Sequence, residues 1–205
     1  MTVIEDILKH IRHLPYGSVF TRQEISDHLG VEKSLVSDAL RRLASSGELR
    51  HISRGLWQRP KQTRFGIVFA SPESVVSALE RSRDVFIVPA GAKTLNEIGA
   101  STQLPMKARF MATRRIRPLK LGNQLIEFEC NKAFTRAMDA LADSSPSQRK
   151  RVARLWVALQ YAGERHATHE KEAFCKAFRE LSPRERQMLL QVLTGELSWA
   201  RSILI

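Results

Sequence analysis

Apolar residues change period twice along this chain, and the order of those changes limits what it can fold into. Val3, Ile4, Ile7, Leu8, Ile11 and Leu14 recur at helical spacing, which predicts an amphipathic helix over residues 2–13 ended by Pro15 and Gly17. Thr21 with Glu24 three residues on makes a capping box, so a second, short helix starts there and ends at Gly30. A third runs from about Glu32 to Ser45, with Val36, Ala39, Leu40 and Leu43 on one face and Gly47 after it. Two β-like runs follow, Glu48–Ile52 and Leu56–Arg59, joined through Ser53, Arg54 and Gly55 as a hairpin.

Beyond a basic spacer, Pro60–Arg64, the pattern mixes periods. Short β runs are expected at Ile67–Phe69, Val85–Val88, Ala108–Thr113, Ile116–Lys120 and Leu125–Glu129, the last two joined by a turn at Gly122-Asn123. Helices are expected from Ser71-Pro72-Glu73 to about Arg81 and over Gly91–Glu97. From Lys132 only helical periodicity remains. It is interrupted at residues 144–147, at Ala167-Thr168 and at Ser182-Pro183, which predicts about four helices. The fold class is therefore α+β, in three parts: residues 1–62, an α+β middle domain at 63–130 and an all-helical extension at 131–205.

Three helices and a hairpin within about sixty residues is the order of a winged helix-turn-helix, whose third helix enters the major groove while the hairpin touches flanking backbone. The outer face of the third helix offers Lys33, Ser34, Ser37, Asp38 and Arg41, hydroxyls and cations that can reach base edges and phosphates. Residues 49–64 hold Arg50, Arg54, Arg59, Lys61 and Arg64 with no acid, so the wing should be strongly positive. Lys33, Ser34, Ser37, Arg41, Arg50, Arg54, Arg59 and Lys61 are the expected DNA-binding set. The plainer alternatives are a solvated polar face and a protein-docking module built on the same fold.

Charge agrees in sign. The 205 residues include 33 Lys or Arg against 21 Asp or Glu, a formal charge of +12, which excludes an acidic solvating protein and favours a polyanionic partner. A second acid-free stretch, residues 98–126, carries Lys107, Arg109, Arg114, Arg115, Arg117 and Lys120 around Phe110. If exposed, Phe110 would offer a stacking face to nucleic acid. If the strand alternates, Phe110 and Ala112 face a core, Arg109 and Met111 face out, and the sheet is merely solvated. A third basic patch, Gln148-Arg149-Lys150-Arg151 with Arg154, reads more simply as the polar face of a helix.

Little points to catalysis. Cys130 and Cys175 lie far apart without metal-ligand spacing, and the histidine pairs His10/His13 and His166/His169 lack a completing carboxylate or thiolate, so no metal or cofactor is expected. Glu127 and Glu129 share a strand face but have no nucleophile or phosphate loop beside them, so the chain is not expected to be an enzyme. The charged first helix lacks the apolar core of a signal peptide, and no stretch approaches the roughly 18 apolar residues of a membrane span. The expected setting is cytoplasmic, without a membrane partner.

Residues 16–21, Tyr-Gly-Ser-Val-Phe-Thr, and residues 54–61, Arg-Gly-Leu-Trp-Gln-Arg-Pro-Lys, resemble the N-terminal winged helix of AbiEi-like antitoxins, regulators of type IV abortive-infection toxin–antitoxin systems. Residues 89–105 are similar to the P-x-G-x-x-A-x-N-x-L-G-L-S-T-Q-x-P signature of relatives of that group. Ala100 stands where the signature has leucine. The resemblance covers about residues 14–130. It implies a DNA-binding transcriptional autorepressor and antitoxin that counteracts a nucleotidyltransferase-like toxin encoded beside it, without requiring a stable complex. Read physically, Gly91 and Gly99 of the same segment bracket one short helix, Asn96 can tie the following loop and Pro105 ends it. Two other readings stay open: a stand-alone regulator whose middle domain binds a ligand or dimerises, and an RNA-binding module that shields the toxin's target.

Overall fold

The computed structural model describes residues 3–53, 55–103 and 105–205. It shows an N-terminal region of mixed helices and strands followed by a largely helical stretch, an α+β fold with a helical extension. By contact the chain groups into two compact units. One comprises residues 1–84 with 119–125, and the other residues 85–118 with 126–205. That grouping follows shared cores and so differs from the division at 62 and 130 read from pattern changes.

The first unit opens with α1 (Val3–His13), β1 (Val19–Thr21), α2 (Arg22–Leu29) and α3 (Lys33–Ser45). Strands β2 (Arg50–Ser53) and β3 (Leu56–Gln58) then complete an antiparallel sheet in the order β1-β3-β2. Ile7 and Ile11 of α1, Phe20 of β1, Ile25 of α2 and Val36, Leu40 and Leu43 of α3 form its core. Leu40 is fully buried. Truncating such a side chain to Ala removes about 2–5 kcal/mol, which makes it a single-residue weak point of the unit.

Strand β1 falls outside the sequence expectation. Three residues are too few to show a period, and the last of them, Thr21, doubles as the α2 N-cap. The capping box forms as expected: the Glu24 amide donates to Thr21 Oγ1 (3.2 Å) and the Thr21 amide donates to Glu24 Oε2 (2.6 Å).

The expected spacer Pro60–Arg64 is in fact partly strand. Here β4 (Lys61–Thr63) pairs with β5 (Gly66–Val68), and the buried Gln58 side chain donates to the Val68 carbonyl (3.1 Å). A hairpin this short needs such an anchor. Ser71 caps α4 (Pro72–Ser82), where proline occupies the first turn. Arg81 of α4 reaches Glu24 Oε1 (2.6 Å) and the Val19 carbonyl (3.1 Å), which is why this helix belongs to the first unit.

In the second unit β6 (Ile87–Pro89) runs antiparallel to β7 (Ala108–Ala112), and β7 runs parallel to β9 (Gln124–Glu129). Strand β8 (Leu119–Leu121), the turn after it and the first two residues of β9 count with the first unit. The signature segment forms α5 (Ala92–Glu97) between Gly91 (φ 72°) and Gly99 (φ 76°), with Asn96 Nδ2 donating to the Ser101 carbonyl (3.3 Å). Leu95 and Ala100 of this segment are buried in the core.

Five helices follow: α6 (Lys132–Asp139), α7 (Pro146–His169), α8 (Lys171–Arg179), α9 (Pro183–Val192) and α10 (Ala200–Leu204), with a 3-10 turn at Gly195–Leu197. Buried residues ring most of α7, and Trp156 packs against Phe134 while donating to the Val192 carbonyl (3.3 Å). The expected break at Ala167-Thr168 is absent. The backbone leaves helical geometry instead at Gly163 (φ 69°, ψ 168°), a conformation glycine adopts without steric cost.

Candidate nucleic-acid interface

Helices α2 and α3 are held at a fixed angle by local sequence. Gly30 (φ 63°) closes α2, and only Val31 and Glu32 separate it from Lys33. Ser26 locks this turn twice: its hydroxyl donates to the Val31 carbonyl (2.7 Å), and its carbonyl accepts from the Val31 amide (3.2 Å). Val36, Ala39, Leu40 and Leu43 face inward. Lys33, Ser34 and Arg41 are exposed on the other side, and Ser37 is half-buried.

A cleft of about 210 Å³ opens on that side, lined by Arg22, Ser37, Leu40, Arg41, Gly55 and Trp57. It joins the first residue of α2, the polar face of α3 and the β2–β3 turn. Arg22 Nη1 donates to Ser37 Oγ (3.1 Å), and the Ser37 hydroxyl donates to the Lys33 carbonyl (2.8 Å). Arg41 pairs with Asp38 one turn back (3.1 Å), both side chains more than half exposed. Such a pair contributes little and can be exchanged for a stronger anion. Two guanidiniums and a hydroxyl in a cleft without a lining carboxylate suit phosphate oxygens and base-edge acceptors. Arg22 was missing from the sequence expectation, because only the helix–helix angle brings it to Ser37.

The hairpin cations disperse. Arg54 lies outside the described residues. The Arg50 guanidinium lies over the Phe69 ring, 4.5 Å from its centroid. Arg59 lies over Tyr16 (4.2 Å) and donates to the Leu14 carbonyl. With Lys61 it lines a cleft of about 450 Å³ that also contains Glu48. The wing is thus free of acids along the chain but not in space. Arg12 holds Glu48 through two hydrogen bonds (2.8 and 2.9 Å), and that contact keeps the Glu48 carboxyl below the ordinary range and raises Arg12.

The second basic stretch is divided. Phe110 is buried and stacked on Phe128 (6.0 Å), so it offers no stacking face, and Met111, expected to face out, is buried in the core. The parallel register sets Arg109 beside Glu127. Arg109 bonds Glu127 (2.9 Å) and lies within 4.0 Å of Glu129, while Lys107 also reaches Glu127 (3.4 Å). Burial raises the Glu127 pKa, but the Arg109 hydrogen bond and the Lys107 charge outweigh it, and the carboxyl stays below the ordinary range. Glu127 and Glu129, the two carboxylates that share a strand face, are therefore engaged by these cations. Arg114, Arg115 and Arg117 are exposed, and Lys120 joins Arg50 in a separate cleft. In the third patch Arg149 lies over Phe86 (4.4 Å), and Arg151 binds buried Glu185 (3.1 Å) and the Glu180 carbonyl (2.8 Å).

His10 meets His28 rather than a metal-ligand partner, their ring centroids 4.4 Å apart, and His169 pairs with Glu170 (2.8 Å). Among the described residues, no group of three or more His, Cys, Asp or Glu is placed to hold a metal ion, and no helix is long and apolar enough to cross a membrane. A comparison with curated proteins finds no match. Residues 6–142 do match a family model, described as a family of unknown function, DUF6088. That span covers all of α2 and α3, the whole cleft between them and the sheet through β9. As it is well over half of the 205 residues, the chain belongs to the DUF6088 family.

Proposed function

We propose that this chain is a duplex-DNA-binding transcriptional autorepressor, its N-terminal region a winged helix-turn-helix, acting in the cytoplasm as the antitoxin of a type IV toxin–antitoxin system. One observation carries the DNA-binding reading: Arg22, Ser37 and Arg41 converge with the β2–β3 turn in one cleft on the exposed side of α3. A two-residue link after a left-handed glycine, a second helix about 20 Å long and an adjacent hairpin suit insertion into the major groove. Lys33 and Ser34 stand exposed at the start of that helix, where base-edge contacts are made.

The antitoxin half rests on the resemblance at residues 16–21, 54–61 and 89–105 and on the partner it implies, a nucleotidyltransferase-like toxin. RNA shielding by the middle sheet draws less support, since Phe110 is buried and Lys107 and Arg109 meet Glu127.

The test is titration of the full chain against the duplex upstream of its own gene, a scrambled duplex and tRNA at several salt concentrations. The upstream duplex should bind tightest, with affinity falling steeply as salt rises. Equal affinity for all three at each salt would contradict the reading. Co-expression with the neighbouring nucleotidyltransferase should restore growth; continued arrest, with the chain present and folded, removes the antitoxin half.

A further inference from the structure

A cleft of about 320 Å³ within the first unit lies where β2 and β8 approach, apart from the α3 face. Arg50 and His51 from β2 and Lys120 from β8 line it, brought together from segments seventy residues apart, and among the described residues no Asp or Glu lines it. Phe69 forms an apolar wall. The Arg50 guanidinium rests on its ring at 4.5 Å, which orients the cation within the cleft. At the turn after β8, Gly122 (φ 63°) comes so close that an added Cβ would meet three ring carbons at 2.7–2.9 Å. The cleft therefore depends on a glycine at this turn for its shape as well as for its backbone conformation.

We propose that this cleft binds a phosphoryl group. A guanidinium presents a planar fork that matches two phosphate oxygens, and an ammonium adds a point charge that neutralises the rest. The volume is at the small end of ligand sites and suits a phosphate or diphosphate. The phosphoryl group comes either from a free phosphate ester or from the backbone of the duplex bound by α3. The site itself stands on its own residues and does not require the α3 reading.

The probe is inorganic pyrophosphate, titrated into the full-length chain by calorimetry, with folding of each variant checked by circular dichroism. Saturable binding is expected, weakened about tenfold by Lys120→Ala and by Arg50→Ala. Gly122→Ala should weaken it as well without altering charge, whereas Arg179→Ala, at an exposed position of α8, should leave it unchanged. Absence of binding to the wild type, or equal affinity in the wild type and both charge variants, overturns the proposal. A promoter-duplex arm identifies the source. If Lys120→Ala lowers the salt slope by about one, the phosphate belongs to DNA; if the slope is unchanged, the ligand is a free ester. Loss of sequence preference in the wild type would remove the α3 reading while leaving the pyrophosphate result standing.

Discussion

His10 illustrates how one contact converts sequence into pH dependence. Burial, then the charges of His28 and His13, push its pKa below the ordinary histidine value. Protonation is therefore harder in the folded chain than in the unfolded one. Its contribution is intact above about pH 6.5 and declines as pH falls below that, because the unfolded state takes the proton first. Glu48 and Glu127 have lowered pKa values, so their contributions are intact above the ordinary carboxylate range and fade only as pH falls below it. Denaturant melts between pH 7.5 and 5 should show stability falling toward acid, and His10→Gln should flatten that slope. An unchanged slope would remove the His10–His28 contact as its cause. Ser26 supports a second expectation. Ser26→Ala strands the Val31 carbonyl in a partly buried turn and should cost about 1–2 kcal/mol in the same melts. Residues that act along the chain, such as Thr21 with Glu24, are readable from sequence because capping is local. Arg22 with Ser37, and Arg50 with Lys120, are not, because tertiary packing alone makes them neighbours.

At the scale of elements, long amphipathic segments and glycine stops locate α1, α2, α3, α4 and α6 from the sequence. Three-residue strands escape such reading: β1 and β4 have no room for a period, and their pairing partners decide them. The kink in α7 is equally hidden, since Gly163 sits in an uninterrupted helical pattern and its φ of 69° is revealed only by the backbone. The α9 N-terminus shows how a cap acquires a second role. Glu185 accepts from the Ser182 amide (2.8 Å) in a capping box, and it also binds Arg151 of α7 (3.1 Å) while buried itself. Glu185→Ala loses both contacts. Arg151 remains about half exposed, so the cost falls below that of a fully buried pair, at about 2–3 kcal/mol. Thermal melts should show the loss, and Arg151→Ala should also destabilise, because it leaves the buried Glu185 carboxylate its capping bond but not its counter-ion. Unchanged melts for both variants would remove this pair from the account.

Across the whole molecule, two cores share one chain, and the family match at residues 6–142 reaches past the first unit into the second. The excess of 33 cations over 21 acids gives the chain as a whole an attraction for polyanions, so affinity alone cannot identify the interface. Discrimination between sequences can. The most direct measurement compares wild type with the Arg22→Ala/Arg41→Ala double variant on the chain's own upstream duplex and on a scrambled duplex, across a range of salt. If α3 reads the major groove, the double variant loses about 1–3 kcal/mol of preference for the upstream duplex and still binds both duplexes in a salt-dependent way. A folded double variant that keeps the full wild-type preference would contradict the placement of α3 on DNA.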